Sequence, residues 1–191
     1  MTAPFLKNQF LLAMPSLAGD YFGGGILYLC EHNADGAMAL LVNRSADLLI
    51  SDVLSELDIP TSNAPASTLQ APVLVGGPVQ SEHGFLLHDD STDADSMALG
   101  QGLMLGSGRH LLEALGRGEG PQRYLLALGY AGWGPGQLEE ELAANVWLSC
   151  PTTAEQASEI LFDAPLSERV QRAAALLGID FRLMAPQAGY A

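Results

Sequence analysis

The sequence predicts a domain of mixed α and β structure, and three observations carry the prediction. Residues 25–32 (GILYLCEH) and 37–43 (AMALLVN) are apolar runs of strand length separated by Asn33, Ala34, Asp35 and Gly36. That is a hairpin signal, because Asp-Gly tolerates the positive φ of a tight connection. Residues 45–57 place Leu49, Val53 and Leu57 four apart, with Ile50 and Leu54 beside them, the period of a helix with one apolar face. Residues 123–130 read as a strand that runs through Gly132, Trp133, Gly134, Pro135 and Gly136 directly into the helical stretch QLEEELAAN.

Taken in order, residues 8–14 form the first strand, stopped by Pro15, which has no amide donor. A loop over 16–22 leads to Gly23, Gly24 and Gly25, a turn or a close backbone approach that serves either packing or a ligand. Counting by twos along 25–32, Ile26, Tyr28, Cys30 and His32 share one face, and Leu27, Leu29 and Glu31 the other. Both faces are largely apolar, so this strand is predicted central and covered on both sides. Ser45 is the expected N-cap of the following helix, Asp47 suits its first turn, and Pro60 forbids its continuation. Residues 60–72, rich in Pro, Ser, Thr, Asn and Ala, are an exposed connection with little structure of its own.

Residues 73–75 and 84–88 are short strands, expected to pair as a second hairpin through 80–83. The polar loop 89–97 holds four aspartates, and 103–105 is a short strand. Ser107 caps a helix that turns Leu111, Leu112 and Leu115 inward and ends at Gly116 and Gly118. Residues 145–150 return as a strand carrying Trp147. Thr152 with Glu155, or Thr153 with Gln156, forms a capping box for a helix over 154–162. The last helix, 166–177, turns Val170, Ala173, Ala174 and Leu177 inward and closes at Gly178, and the tail from about 185 is expected to be loose.

At 191 residues the chain fits one folding unit spanning 1–191, with room for a small lobe. With 48% hydrophobic and 16% charged residues, wholesale disorder is excluded, and no run approaches the ~18 apolar residues of a spanning helix. Twenty-two acidic against eight basic side chains give a net charge of -14. That charge repels phosphate backbones and anionic membranes, so direct nucleic-acid binding is disfavoured and a protein or small-molecule partner is favoured. Lys7 followed by FLLAM imitates a signal peptide, but the apolar run stops at Pro15 and no A-x-A site follows, so a cytoplasmic location is expected. Cys30 and Cys150 form no metal-ligand pattern. Two buried free thiols in a reducing compartment are expected rather than one disulfide.

The catalytic candidates are Cys30, His32 and His88. Cys30 and His32 read as a nucleophile and its base, but an i, i+2 spacing puts their Cα atoms about 6.5–7 Å apart, loose for a hydrogen-bonded pair. The other reading is a core thiol beside a turn histidine. His88 ends a strand beside Asp89 and Asp90, which reads as a histidine with a raised pKa or equally as a surface strand end. No motif links His32, His83 and His88, so neither a metal nor a cofactor is predicted. The aspartate loop is not an EF-hand, because Ala94 and Gly100 stand where glycine and glutamate are needed.

The glycines from Gly129 match neither the dinucleotide fingerprint nor a phosphate-binding P-loop, and Glu139, Glu140 and Glu141 would oppose an anion at the following helix. Ser107, between two glycines, is in the wrong frame for a nucleophile elbow. The ligand-binding candidates are Asn43 and Arg44, which finish the hairpin strand, with Gly76, Gly77 and Trp133 in loops expected to gather at the same sheet edge. Arg44 reads equally as a salt-bridge partner.

Four segments in this order, FLLAMPSL, YFGGGILYLCEHNADGAMALLVN, VLVGGPVQSEHGFLLH and LGYAGWGPGQLEEELAANVWL, resemble the AlgH/YqgE family of bacterial proteins. The resemblance runs from Phe10 to about Asp180, and its GGPV and GYAGW-GQLE blocks are specific. It implies an α+β fold, a compact, substantially antiparallel sheet with helices packed on it, in the cytosol. Most family members have no assigned activity, some carry a transcriptional-regulator label from an association with alginate control, and no catalytic residues come with the family. Gly19-Asp20 stands where the family reads Asp-Pro, and His83 where it reads Arg, which removes an anion-binding group there. The expectation is a regulator or adaptor acting through protein or small-ligand contacts. The alternative is a hydrolytic or thiol-dependent enzyme with a pocket near Cys30, His32 or His88. Direct DNA binding comes third.

Overall fold

A computed structural model describes residues 5–184, so the tail predicted beyond 185 lies outside the described residues. The predicted hairpin is present as β2 (Ile26–Asn33) and β3 (Gly36–Leu41), with β1 (Gln9–Ala13) on the other edge of β2. The strand after α4 (Gln137–Ala143) is β10 (Trp147–Pro151), which pairs with β1. The second half of the sheet contains β4 (Ser45–Leu49), β5 (Pro72–Val75), β6 (Val79–His88), β7 (Met97–Gly100) and β8 (Leu103–Gly106). The ten-residue β9 (Tyr124–Trp133) joins the halves, giving the order β10-β1-β2-β3-β9-β6-β8-β7. β5 also pairs with β9, and β4 with β5. Every pairing is antiparallel except β5 with β9, so the α+β class with a substantially antiparallel sheet holds.

The sheet curls until its ends meet. Asn8, beside β1, donates from Nδ2 to the Leu99 carbonyl on β7 (2.8 Å), and Gln101 donates from Nε2 to the Thr152 carbonyl beyond β10 (3.0 Å). Alternation sorts side chains between the two faces. Phe10 and Leu12 of β1 enter an inner core with Tyr28, Leu40, Leu87 and Leu125, sealed by α5 (Ala154–Ser158), a π turn (Glu159–Asp163) and α6 (Arg169–Leu176). Leu11 and Ala13 face outward to a second cluster under α4. A third cluster lies on β5, β6 and β9 beneath α1 (Ile50–Glu56) and α3 (Arg109–Arg117). As predicted, β2 is central and buried on both faces.

Several local expectations are corrected. The helix predicted from 45 begins only at Ile50, because 45–49 pairs with β5 as β4. Asp47 takes φ 56°, incompatible with a helical turn, and Asp52 rather than Ser45 caps, accepting the Leu49 amide at 2.8 Å. Ile50 and Leu54 are buried while Leu49 and Leu57 stay exposed. The connection 60–72 contains α2 (Ala66–Leu69), whose buried Thr68 accepts from the Tyr124 hydroxyl at 2.9 Å. At α3 the N-cap is Gly108, not Ser107, with no side-chain cap; Gly116 is buried inside the helix, and Gly118 closes it at φ 73°. Thr153 and Gln156 do form the capping box of α5, but a π turn replaces the rest of that helix.

The second hairpin does not form. β5 and β6 lie on opposite edges of β9, so 76–78 must cross that strand. The crossing is close enough that a Cβ on Gly76 would stand 2.2 Å from the Gly129 carbonyl oxygen. Only glycine fits there. No helix among the described residues is long and apolar enough to cross a membrane.

Candidate functional site

The three catalytic candidates are buried and separate. A β-bulge interrupts the β2–β3 register between Leu29, opposite Ala39, and Glu31, opposite Met38. The extra residue is Cys30, so alternation resets and the expectation of a shared face is overturned. Cys30 joins the inner core, whereas His32, opposite Ala37, turns toward α4 on the outer face. The Leu6 amide donates to His32 Nδ1 (2.9 Å), so Nε2 carries the proton and donates it to Glu139 (3.0 Å). Burial pushes the Cys30 thiol up to about 12 and raises Cys150 as well; both are free thiols. Iodoacetamide is therefore expected to alkylate native protein at least ~100-fold more slowly than urea-unfolded protein, since thiolate and access are both lacking. Rapid native labelling, read by mass spectrometry, would contradict this.

His88 is fully buried at the end of β6. The Asp90 amide donates to its Nδ1 (3.2 Å), and its Nε2 meets the Ser96 hydroxyl (3.0 Å), which donates to Asp93. Asp93 also pairs with His110 (3.0 Å). The expected rise in the His88 pKa is corrected: burial lowers it, outweighing the opposite pull of Asp93, Asp90 and Asp89. The unfolded chain then binds a proton near pH ~6.5 that the folded state still refuses, so stability is full above that pH and falls as pH drops below it. Asp93, held below the usual carboxylate range chiefly by Ser96, loses its contribution only as pH falls through ~4 and below. Thermal melts between about pH 7 and 5 should steepen in wild type and flatten in His88→Gln. Equal slopes would remove His88 as the cause.

His32, His83 and His88 are not brought together. His83 packs on Phe85 instead, with ring centroids 5.0 Å apart. The single metal-type group found among the described residues is Asp93, Asp95 and His110, with one ligand atom each within 4.8 Å, and its Asp93 and His110 already bond each other.

The ligand-binding candidates do gather. Asn43 accepts the Ile26 amide at 3.1 Å and donates to the Gly24 carbonyl at 3.0 Å. Arg44 donates to the carbonyls of Tyr21 (2.6 Å) and Gly23 (3.3 Å), and its guanidinium lies 5.5 Å from the Tyr21 ring centre. Both side chains clamp the 21–25 loop, and Arg44 makes no ion pair among the described residues. Gly76 and Gly77 carry the chain over β9 into Pro78 and Val79. Between that loop and that crossing lies a cleft of about 470 Å³ lined by Tyr21, Phe22, Pro78, Val79, Trp133 and Trp147. Trp133 thus lines the cleft, and the other four candidates position its walls.

Glu141 organises the floor, and sequence reasoning missed it by reading the three consecutive glutamates only as charges that oppose an anion at the helix start. Both indole N–H groups, of Trp133 (2.8 Å) and Trp147 (2.7 Å), donate to its Oε2, and Gln137 donates to Oε1 (3.0 Å). The rings meet edge to face, with Trp133–Trp147 centroids 5.9 Å apart and Phe22–Trp147 5.5 Å apart. The tryptophans are nearly buried, and Tyr21, 45% exposed, forms the open wall. The signal available in the sequence was the i, i+4 pair Gln137 and Glu141 following Trp133.

The sequence model of the AlgH-like family matches residues 10–182. A UPF0301 protein of Methylococcus capsulatus is 44% identical over 98% of this chain and 97% of its own, and one of Pseudomonas entomophila is 46% identical over 98% and 96%. The solution structure of the AlgH protein from Pseudomonas aeruginosa is similar with TM-score 0.77 at 41% identity, covering 100% of this chain and 99% of that one. Protein DIP2367 of Corynebacterium diphtheriae, at TM-score 0.65 and 17% identity over 88% and 84%, shares the fold. With a family match over residues 10–182, relatives at 44–46% identity and the shared fold, the chain belongs to the AlgH-like family.

Proposed function

We propose that the protein is a cytosolic binding protein, a regulator of gene expression of the alginate-control type that works through a protein or small-ligand contact rather than by contacting DNA. One observation carries the reading. The aromatic cleft contains no cysteine, histidine, serine, threonine or lysine; of its two lining carboxylates, Glu141 at the floor is committed to two indoles and an amide, and Asp20 is exposed. Such a lining favours binding, because it pairs no thiol, serine hydroxyl or imidazole with a base. The matching chemistry is an apolar or aromatic small molecule, or an apolar side chain of a partner.

The charges also argue against DNA. Lys7, Arg109, Arg117, Arg123, Arg172 and Arg182 all pair with carboxylates, while Arg44 and Arg169 are engaged by main-chain carbonyls. All eight basic side chains are thereby occupied, which leaves no basic patch for phosphates.

An amide NMR titration tests the proposal, first with pooled cytosolic metabolites and then with the macromolecular fraction of the same lysate. Shifts at Tyr21, Phe22 and Val79 and at the Trp133 and Trp147 indole N–H signals are expected. Metabolite turnover that is lost in Cys30→Ser or His88→Gln, with the cleft signals unmoved, would replace it with the enzyme reading.

A further inference from the structure

On the outer face, away from the aromatic cleft, an apolar groove of about 440 Å³ lies between α1, α3 and the strands beneath them. Its floor and walls are Leu48, Val53, Leu57, Leu112, Leu126 and Leu128. Gly84 leaves the floor open, since a Cβ there would meet only Leu126 at 3.5 Å. Leu48, on β4, and Leu57, just past the end of α1, are 39% and 36% exposed, an unpartnered apolar edge flanking a helix whose other side is buried. Asp52, Glu56 and Glu82 complete the lining, and no lysine or arginine does. Glu56 and Glu82 make no ion pair among the described residues, and Arg109, at the Leu57 end, is committed to Glu113 and the Leu57 carbonyl.

We propose that this groove docks a basic amphipathic helix of a protein partner. The apolar floor takes side chains at i, i+3 or i+4, and i+7, and the acidic lining pairs with lysines or arginines flanking them. Charge complementarity selects the occupant: a carboxylate-lined groove on a chain of net charge -14 attracts a cationic helix and repels an acidic one. Strand addition is the poorer fit. The neighbouring edge strand β4 is interrupted at Asp47, with φ 56°, and its pairing with β5 slips between Ser45 and Leu48, which blunts it as a template.

The test uses full-length protein and a fluorescein-labelled leucine–lysine amphipathic peptide of about four helical turns, followed by anisotropy. Comparators are a scrambled peptide of the same composition and a leucine–glutamate peptide of the same pattern. Glu56→Lys/Glu82→Lys is expected to weaken binding at least about tenfold and to reduce its salt dependence. Asp35→Lys/Glu155→Lys changes the net charge equally at remote surface positions and should change binding less than about twofold. Leu57→Asp, at an exposed position, should weaken binding without loss of fold. Equal weakening by both charge-reversal pairs, or equal affinity for the scrambled peptide, would overturn the proposal in favour of unspecific attraction. A dimer in sedimentation that Leu57→Asp dissociates would overturn it by assigning the groove to a second copy of the chain.

Discussion

Replacing Gly77 with alanine is expected to destabilise the fold by more than about 3 kcal/mol, beyond the usual cost of overpacking. A Cβ at Gly77 would stand 2.0 Å from Tyr130 C, 2.2 Å from its carbonyl oxygen and 2.4 Å from the Ala131 amide nitrogen. These are main-chain atoms of β9, the strand on which the sheet depends. β9 holds β6 on one edge and β3 with β5 on the other, so yielding at Tyr130 strains pairings on both sides. Urea unfolding of Gly77→Ala and Gly102→Ala makes the comparison. Gly102 has φ 75° and nothing within 4 Å of its would-be Cβ, so alanine there costs only the backbone term, about 1 kcal/mol. If the two variants shift the midpoint equally, the close crossing is not what requires glycine. The crossing also feeds Pro78 and Val79 into the cleft wall, so any folded Gly77→Ala protein should show altered Trp133 and Trp147 indole signals.

Arg169→Ala is expected to cost about 2–5 kcal/mol, from leaving two buried carbonyls without a donor at about 1–3 kcal/mol each. Arg169 is 6% exposed, donates from Nε to the Ala164 carbonyl (3.1 Å) and from Nη1 to the Val42 carbonyl (2.5 Å), and has no carboxylate partner among the described residues. Burial pulls its pKa down to about 10, which still leaves it charged at neutral pH. Its role is to tie the start of α6 to the chain leaving β3, so its loss orphans two carbonyls and loosens the helix over the inner core. Arg169→Lys should fall between, because one ammonium cannot reproduce the fork to two elements. Arg169→Met keeps most of the stem packing and separates that contribution from the hydrogen bonds. A thermal midpoint for Arg169→Met equal to wild type would show that the two carbonyls do not need the guanidinium.

Arg169 also shows what pattern reading misses. Val170, Ala173, Ala174 and Leu177 gave the last helix an apolar face, a pattern that is silent on the charged residue at its start. Its burial depends on carbonyls contributed by residues 42 and 164, which no local window contains. The same holds at Cys30. The period of two was right from Ile26 to Leu29, but the bulge is a property of the pairing with β3, and it moved His32 to the other face. Over 45–57 the helical spacing held only from Ile50, where Ile50 and Leu54 are buried, while Ser45–Leu49 lies against β5 as a strand.

Sequence alone determined the elements whose signal is local: the β2–β3 hairpin through Asp35-Gly36, the capping box of Thr153 and Gln156, the αL closure at Gly118 and the family blocks around β9. Each is set by turn chemistry, capping or period within a few residues. Tertiary structure decided which strand lies beside which, that Gly76 and Gly77 cross over β9, that Glu141 receives both indoles, and that Asn43 and Arg44 hold the 21–25 loop. Those outcomes join residues distant in sequence, and their energies come from close approach and buried hydrogen bonds that exist only once the sheet has curled.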